Sequence, residues 1–307
     1  MIRILFFGMT GRFSIPPFEQ LLNLGVDLCG VIVPAAPPHS SDEPQPVIAP
    51  PPPPTDLPLV DPYLAPNIIH RAWANDLPVW EVGSLSTPGT MDLLRGLQPD
   101  LIVVACFPFV FPSALLSLPR YGCLNLHPSL LPAYRGPAPL FWIARQDERF
   151  TGVTLHLMAE ALDSGDIVAQ TRFERLEGIS EAELEQRCAI EGSNLLADVI
   201  ERLKRGQSLP RRPQIEAEAS YFPSPSGLDF QIPIVWSAQR AFNFVRGAEE
   251  WPLFISVGGT DFFIREGVSY RQDQILGQPY KLIGSDLWVQ FQPGVLRANI
   301  RSQNRAS

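Results

Sequence analysis

Short apolar runs alternate with amphipathic stretches over the first two thirds of the chain. Ile2 to Phe7 is an uninterrupted apolar run ending at Gly8, which suits a strand covered on both faces of a parallel sheet. Pro16 to Leu24 predicts a helix closed by Gly25, with Phe18, Leu21, Leu22 and Leu24 on its apolar side. Residues 28–33, CGVIVP, predict the second strand, so the chain opens as a βαβ unit. The pattern resumes at Ile68 with a helix to about Asn75, a strand at Pro78 to Trp80, a helix at Thr90 to Leu97 and a strand at Leu101 to Phe107. Gly122 to His127 and Gly152 to Met158 read as strands. Glu181 to Lys204 is the longest helical pattern, with Leu184, Cys188, Leu195, Leu196, Val199, Ile200 and Leu203 at intervals of three and four. Beyond it, residues 226–300 hold one helical stretch, Ser237 to Arg246, among short β-like runs punctuated by glycine.

These elements predict an α/β protein: a Rossmann-like, doubly wound and mostly parallel sheet over residues 1–205, followed by a small β-rich domain of OB-like, barrel type over 226–307. Residues 206–225, rich in Pro, Ser and charge, read as the linker. Proline adds one feature. Of the 33 in the chain, thirteen fall between Pro34 and Pro66, including the run Pro50 to Pro54, which predicts polyproline II or disorder in a surface insertion or a partner-recognition strip.

Charge and cysteine narrow the classes. With 24 Lys and Arg against 32 Asp and Glu, the formal net charge is −8, and the acidity falls on residues 1–205. Stable, charge-driven nucleic-acid binding is not indicated. The absence of a long uncharged apolar stretch speaks against a membrane span, and no secretory signal is apparent, so a cytoplasmic setting is expected. Cys29, Cys106, Cys123 and Cys188 are scattered, with no metal-ligand spacing and no Cys-His pattern, so neither zinc nor a covalent thiol mechanism is expected.

The chemistry concentrates in Asn125-Leu126-His127-Pro128-Ser129-Leu130-Leu131-Pro132-Ala133-Tyr134-Arg135-Gly136 and, further on, Leu162-Asp163-Ser164-Gly165-Asp166. Asn125 and His127 are two residues apart on a strand end and project from one face. An amide N–H can steady a developing oxyanion, an imidazole can take a proton from an attacking amine, and a carboxylate such as Asp163 can orient that imidazole. Taken alone, the same residues serve equally well as caps and turn formers. His156, on an alternating strand, reads as structural or as a substrate contact. Arg135 reads as a clamp for an anionic acceptor or as the partner of an acid.

This run, with TGVTLHLM at 151–158 and LDSGDIVAQ at 162–170, resembles the signature of the 10-formyltetrahydrofolate-dependent formyltransferases: Asn-x-His, SLLP-x-(Trp/Tyr)-Arg-Gly, then Asp in a turn before Gly. The resemblance covers most of the chain outside 34–66. It implies a catalytic trio of Asn125, His127 and Asp163. It implies a folate donor lined by Ser129, Leu130, Leu131 and Pro132, with the pterin held by the backbone around Cys106, Phe107, Pro108, Phe109 and Val110 and by the loop carrying Leu162, Ser164, Gly165 and Asp166. No metal is implied. Acceptors in the family include methionyl-tRNA, amino-sugar nucleotides, glycinamide ribonucleotide and, in hydrolase relatives, water. The two-domain layout is that of the methionyl-tRNA members. Those members carry a basic insertion after the second strand; here residues 34–66 contain no Lys or Arg, which favours a small amine. A catalytically silent binding protein on the same fold is the third expectation.

Overall fold

The computed structural model describes residues 1–36, 43–49 and 67–301; most of the proline-rich stretch 34–66 lies outside these. Contacts group the chain into two compact units, each described by itself below: residues 1–135, 152–172 and 186–220, and residues 136–151, 173–185 and 221–307. The segments 136–151 and 173–185, which the sequence pattern groups with the first domain, thus pack with the C-terminal part.

In the first unit, strands β1 (Arg3–Gly8), β2 (Asp27–Pro34), β3 (Gln45–Pro46), β4 (Val79–Val82), β5 (Leu101–Ala105), β6 (Cys123–His127), β7 (Phe150–Leu157) and β8 (Ile167–Glu174) form one sheet in the order β3-β4-β2-β1-β5-β6-β7-β8. The pairs β4–β2, β2–β1, β1–β5 and β5–β6 are parallel, while β3–β4 and β6–β7 are antiparallel. The chain builds outward from β1 in one direction through β2 and β4, then in the other through β5 and β6. That reversal is the switch point at which open α/β sheets leave a crevice beyond their carboxyl ends.

The apolar runs become the central strands because both their faces are covered. Leu5, Phe7, Ile32, Ile102 and Val104 pack against Leu85, Phe111, Leu115 and Met91 and Leu94 of α3 (Pro88–Leu97), whose N-cap is Thr87, after α1 (Ile15–Asn23) and α2 (Ile68–Trp73). On the opposite face Phe6 meets Phe18 of α1 at 5.2 Å between ring centroids. Each such side chain, fully buried, contributes roughly 1.5–3 kcal/mol. After the short α4 (Ser113–Leu116) and α5 (Pro139–Arg145), the long α6 spans Glu181–Lys204, the range its periodicity predicts. Gly192 lets α6 approach the sheet closely: a Cβ there would stand 2.5 Å from Leu126 on the strand that carries the site.

Several elements escape the sequence pattern, among them β8 and α5. β8 (IVAQTRFE) is an edge strand with a largely polar exterior, and α5 (PLFWIAR) is six apolar residues ending in Arg145, without amphipathic contrast. A correction concerns the proline-rich segment. Polyproline II or disorder was expected throughout it, yet Gln45 and Pro46 pair with Glu81 and Trp80 at the sheet edge, and Val47 N–H donates to the Val79 carbonyl at 2.8 Å. Proline is tolerated there because an edge strand presents one side to solvent.

In the second unit, β9 (Phe254–Val257), β10 (Thr260–Arg271), β11 (Tyr280–Ile283), β12 (Asp286–Gln290) and β13 (Val295–Ile300) form an antiparallel sheet in the order β11-β12-β13-β10-β9, accompanied by α7 (Ala238–Gly247). Phe141 of α5 packs on Phe244 of α7 and on Trp251, at 5.4 and 5.1 Å between centroids, and Trp142 stacks on Phe222 at 4.9 Å. This aromatic nest explains why 136–151 belongs with the later residues. Among the described residues, no helix is long and apolar enough to cross a membrane.

Candidate active site

Two strand pairings bring the polar residues of the first unit together. Asn125 on β6 lies opposite His156 on β7, and His127 lies opposite Thr154. β6 ends at His127, beside the carboxyl end of β5 and therefore at the crevice of the doubly wound sheet. Asp163 enters from the loop after β7 in a left-handed conformation, φ 52°, which Asp tolerates better than most residues. Gly165 makes that loop possible, since a Cβ there would stand 1.9 Å from the Leu157 carbonyl oxygen. The turn is closed by the Ser164 hydroxyl donating to the Ala161 carbonyl at 2.7 Å.

Asp163 sits between two imidazoles. Its Oδ2 is 3.7 Å from Nδ1 of His127 and its Oδ1 is 3.6 Å from Nε2 of His156. Both separations exceed a hydrogen bond and are within ion-pair range. All three side chains are buried. His127 Nε2 lies 2.8 Å from the Tyr134 carbonyl, which can only accept, so the neutral ring carries its hydrogen there and leaves Nδ1, on the Asp163 side, to take up a proton. His156 differs: burial pushes its pKa down to about 4, against the pull of Asp163. Its Nδ1 faces the Leu157 carbonyl at 2.9 Å, and its Nε2 is 3.1 Å from Asn125 Nδ2.

The loop Ser129 to Pro132 is braced from within. Ser129 Oγ donates to the Ala133 carbonyl at 2.7 Å, Leu131 N–H donates to Thr154 Oγ1 at 3.1 Å, and Gln170 donates to the Leu131 carbonyl at 2.9 Å. Ser129 and Leu131 are buried, while Leu130 and Pro132 are half-buried and are the members whose side chains retain surface. After β5, Cys106 adopts φ 60° and is exposed. The backbone groups of Phe107, Phe109 and Val110 hydrogen-bond to no other backbone group among the described residues, and Pro108 has no N–H. Phe107 and Phe109 pack edge-to-face at 5.4 Å, while Val110 is exposed. Leu162 is exposed, and Ser164, Gly165 and Asp166 are half-buried. Free amides beside an apolar wall fit a flat heteroaromatic ring system with hydrogen-bonding edges.

Arg135 has an acid for a partner. Its guanidinium is buried, holds Glu216 through two 3.0 Å contacts, and donates from Nε and Nη2 to Gln214 Oε1 at 3.2 and 3.0 Å. Of the two roles expected for Arg135, the pairing with an acid is formed in the structure. Gln214 went unnoticed in the sequence because it lies in a linker-like stretch with no pattern of its own. Its amide donates to the carbonyls of Asp163 and Gly165 at 2.8 and 2.7 Å, tying the carboxylate loop to Arg135. Of the cysteines near the site in sequence, Cys123 is buried and its thiol is pushed up to about 12 by burial.

A doubly wound sheet with an Asn-x-His strand end facing an aspartate-bearing turn defines an α/β architecture with a polar crevice beyond its carboxyl ends. Its fold is shared with the N-formyltransferase from Helicobacter canadensis, crystallised with folinic acid and dTDP-3-aminofucose (16% identity, TM-score 0.66, covering 98% of this chain and 99% of that one). It is shared too with HypX from Aquifex aeolicus in complex with tetrahydrofolic acid (16% identity, TM-score 0.65, 97% of this chain); the chain spans 43% of that protein. A formyl transferase family model matches residues 64–200. The methionyl-tRNA formyltransferase of Citrifermentans bemidjiense is 34% identical over 251 residues, 82% of this chain and 73% of that protein. That of Bacillus licheniformis is 32% identical over 259 residues, 84% and 75%. The chain belongs to the formyltransferase family.

Proposed function

We propose that the protein transfers a formyl group from 10-formyltetrahydrofolate to the amino group of methionyl-tRNA. The observation that carries this reading is the meeting of Asn125, His127 and Asp163 at the carboxyl end of the sheet in a chain one third identical to methionyl-tRNA formyltransferases. When bound, the donor supplies an electrophilic formyl carbon on a tertiary nitrogen. The segment Cys106 to Val110 offers backbone hydrogen bonds and an apolar wall for its ring system, and Leu130, Pro132 and the Leu162 to Asp166 loop complete that side.

Asn125 directs an amide N–H at the formyl oxygen, where negative charge develops as the acceptor amine forms its bond to the formyl carbon. His127 accepts the proton the amine releases, at Nδ1, and Asp163 beside it stabilises the imidazolium that results. The same proton then passes to the folate nitrogen as its bond to the formyl carbon breaks, so the products are the formylated amine and tetrahydrofolate. Strand and loop hold these groups together before the reactants arrive, which is where positioning lowers the barrier.

A second reading, the same chemistry on an amino-sugar nucleotide, is favoured by one observation: residues 34–66 contain no Lys or Arg. The test is to supply 10-formyltetrahydrofolate with methionyl-tRNA, and separately with amino-sugar nucleotides, and follow tetrahydrofolate release. Release that depends on methionyl-tRNA is expected. Release only with the sugar amine selects the second reading, and none with any acceptor or with water removes both.

A further inference from the structure

The two histidines that flank Asp163 are held in different states, and the difference constrains Asn125. Asp163 and His127 are the ionisable groups nearest His156, the His127 ring lying at 6.4 Å between centroids, with Arg135 acting over a longer distance. His156 is itself only 1% exposed. Its Nδ1 faces a backbone carbonyl, and a carbonyl can only accept, so Nδ1 carries the hydrogen. A buried imidazole beside a second imidazole resists a further proton, and burial is the larger influence on it. Nε2 is therefore a lone pair. A buried lone pair requires a donor, and the group within reach is the Asn125 side-chain amide at 3.1 Å.

An asparagine amide has a donating end and an accepting end that differ little in shape, and the hydrogen-bond network decides which is presented. Turned the other way, the Asn125 carbonyl oxygen would face the His156 lone pair and stand on the side of the Asp163 carboxylate. We infer that His156 is a positioning residue that fixes the orientation of the Asn125 amide, so that one N–H is anchored on His156 Nε2 and the second is held for the formyl oxygen. The inference rests on the reading of Asn125 as the oxyanion donor. It assigns separate tasks to two imidazoles on one carboxylate: His127 exchanges a proton with the reactants, and His156 sets the direction of a hydrogen bond.

The first test is spectroscopic and needs no turnover. Nitrogen-15 labelled histidine spectra of the wild-type protein are expected to show His156 as the Nδ1–H tautomer, without titration between about pH 5 and 8, the interval in which an unperturbed imidazole changes charge. The second is kinetic. Loss of an oxyanion donor costs about 100- to 1,000-fold in kcat, so His156→Leu, which leaves Asn125 in place but free to turn, is expected to lower kcat about 10- to 100-fold with KM for the folate donor within about twofold. His156→Gln, which can again offer an acceptor, is expected to recover most of that loss. In an Asn125→Ala background, His156→Leu is expected to change kcat by less than about twofold, because the residue acts through Asn125.

An Nε2–H tautomer, a His156 titration near neutral pH, or an equal loss from His156→Leu with and without Asn125 would each overturn the assignment. If His156→Leu does not fold, the wild-type spectrum decides alone. If the wild-type protein formylates nothing, the reading of function falls, while the tautomer still reports whether the amide is oriented as inferred.

Discussion

The carboxylate of Asp163 stands 3.7 Å from Nδ1 of His127, too far for a direct hydrogen bond and near enough to hold an imidazolium. In the proposed mechanism, that distance, together with the Tyr134 carbonyl on Nε2, directs proton exchange to the Asp163 side of the ring. His127→Ala and Asp163→Asn are each expected to lower kcat by about 100- to 10,000-fold, the usual worth of positioned acid–base groups, with folding intact by circular dichroism. Combining them should add little, because the two act as a unit. Full additivity in tetrahydrofolate release would sink this assignment.

Gln214 connects the carboxylate loop to Arg135, donating to the carbonyls of Asp163 and Gly165 and accepting from Arg135. Gln214→Ala leaves those groups unpaired and is expected to cost about 1–3 kcal/mol in urea unfolding, and about 10-fold in kcat because Asp163 is no longer held. Gln214→Glu keeps the acceptor for Arg135 but removes the donors to the loop. Unfolding and turnover should therefore separate for that variant, with stability the less affected.

Gly165→Ala tests the loop from its other side. Its Cβ would collide with the Leu157 carbonyl, a backbone atom that cannot swing away. A loss of about 1–3 kcal/mol in thermal unfolding and a fall in kcat are expected. Unchanged kcat would show that the turn does not set the Asp163 position.

In the second unit, burial pushes the Glu181 carboxyl up to about 7, opposed by Trp251 Nε1, which donates to it at 2.9 Å. The Glu250 backbone N–H, 3.4 Å away, lowers it too, while the Glu250 and Glu185 carboxylates push it slightly back up. A carboxyl whose folded pKa lies above its unfolded value of 4.5 keeps its proton longer in the native state, so the unfolded chain is favoured as pH rises from 4.5 through about 7, and the loss is complete above that. The magnitude is on the order of 3 kcal/mol. Urea unfolding of the wild type should weaken between about pH 5 and about pH 8, and Glu181→Gln, which can still accept from Trp251, should flatten that slope. Parallel slopes in both proteins would assign the pH dependence elsewhere.

The acceptor has a signature in salt. If methionyl-tRNA is the acceptor, its KM should rise steeply with ionic strength as counterions compete for the phosphates, while KM for the folate donor stays nearly flat. A salt-independent acceptor KM would favour the small amine.

The apolar runs marked where along the chain the central strands lie, since a run such as Ile2 to Phe7 has no stable place except between two covered faces. The long helix Glu181–Lys204 was equally readable from its three- and four-residue spacing. The resemblance to the formyltransferase signature pointed to Asn125, His127 and Asp163; the two-residue spacing by itself placed only Asn125 and His127 on one strand face. The sequence could not say that β7 would run antiparallel beside β6 and set His156 against Asn125, since strand pairing is a long-range choice made by packing. Nor could it reveal Gln214, whose importance lies in three carbonyl and guanidinium partners brought to it from remote stretches of chain. Arg135 shows the same division. Its charge and its place after the motif were legible, but its pairing with Glu216 and Gln214 was not, because only the folded chain determines which groups are close enough to meet it.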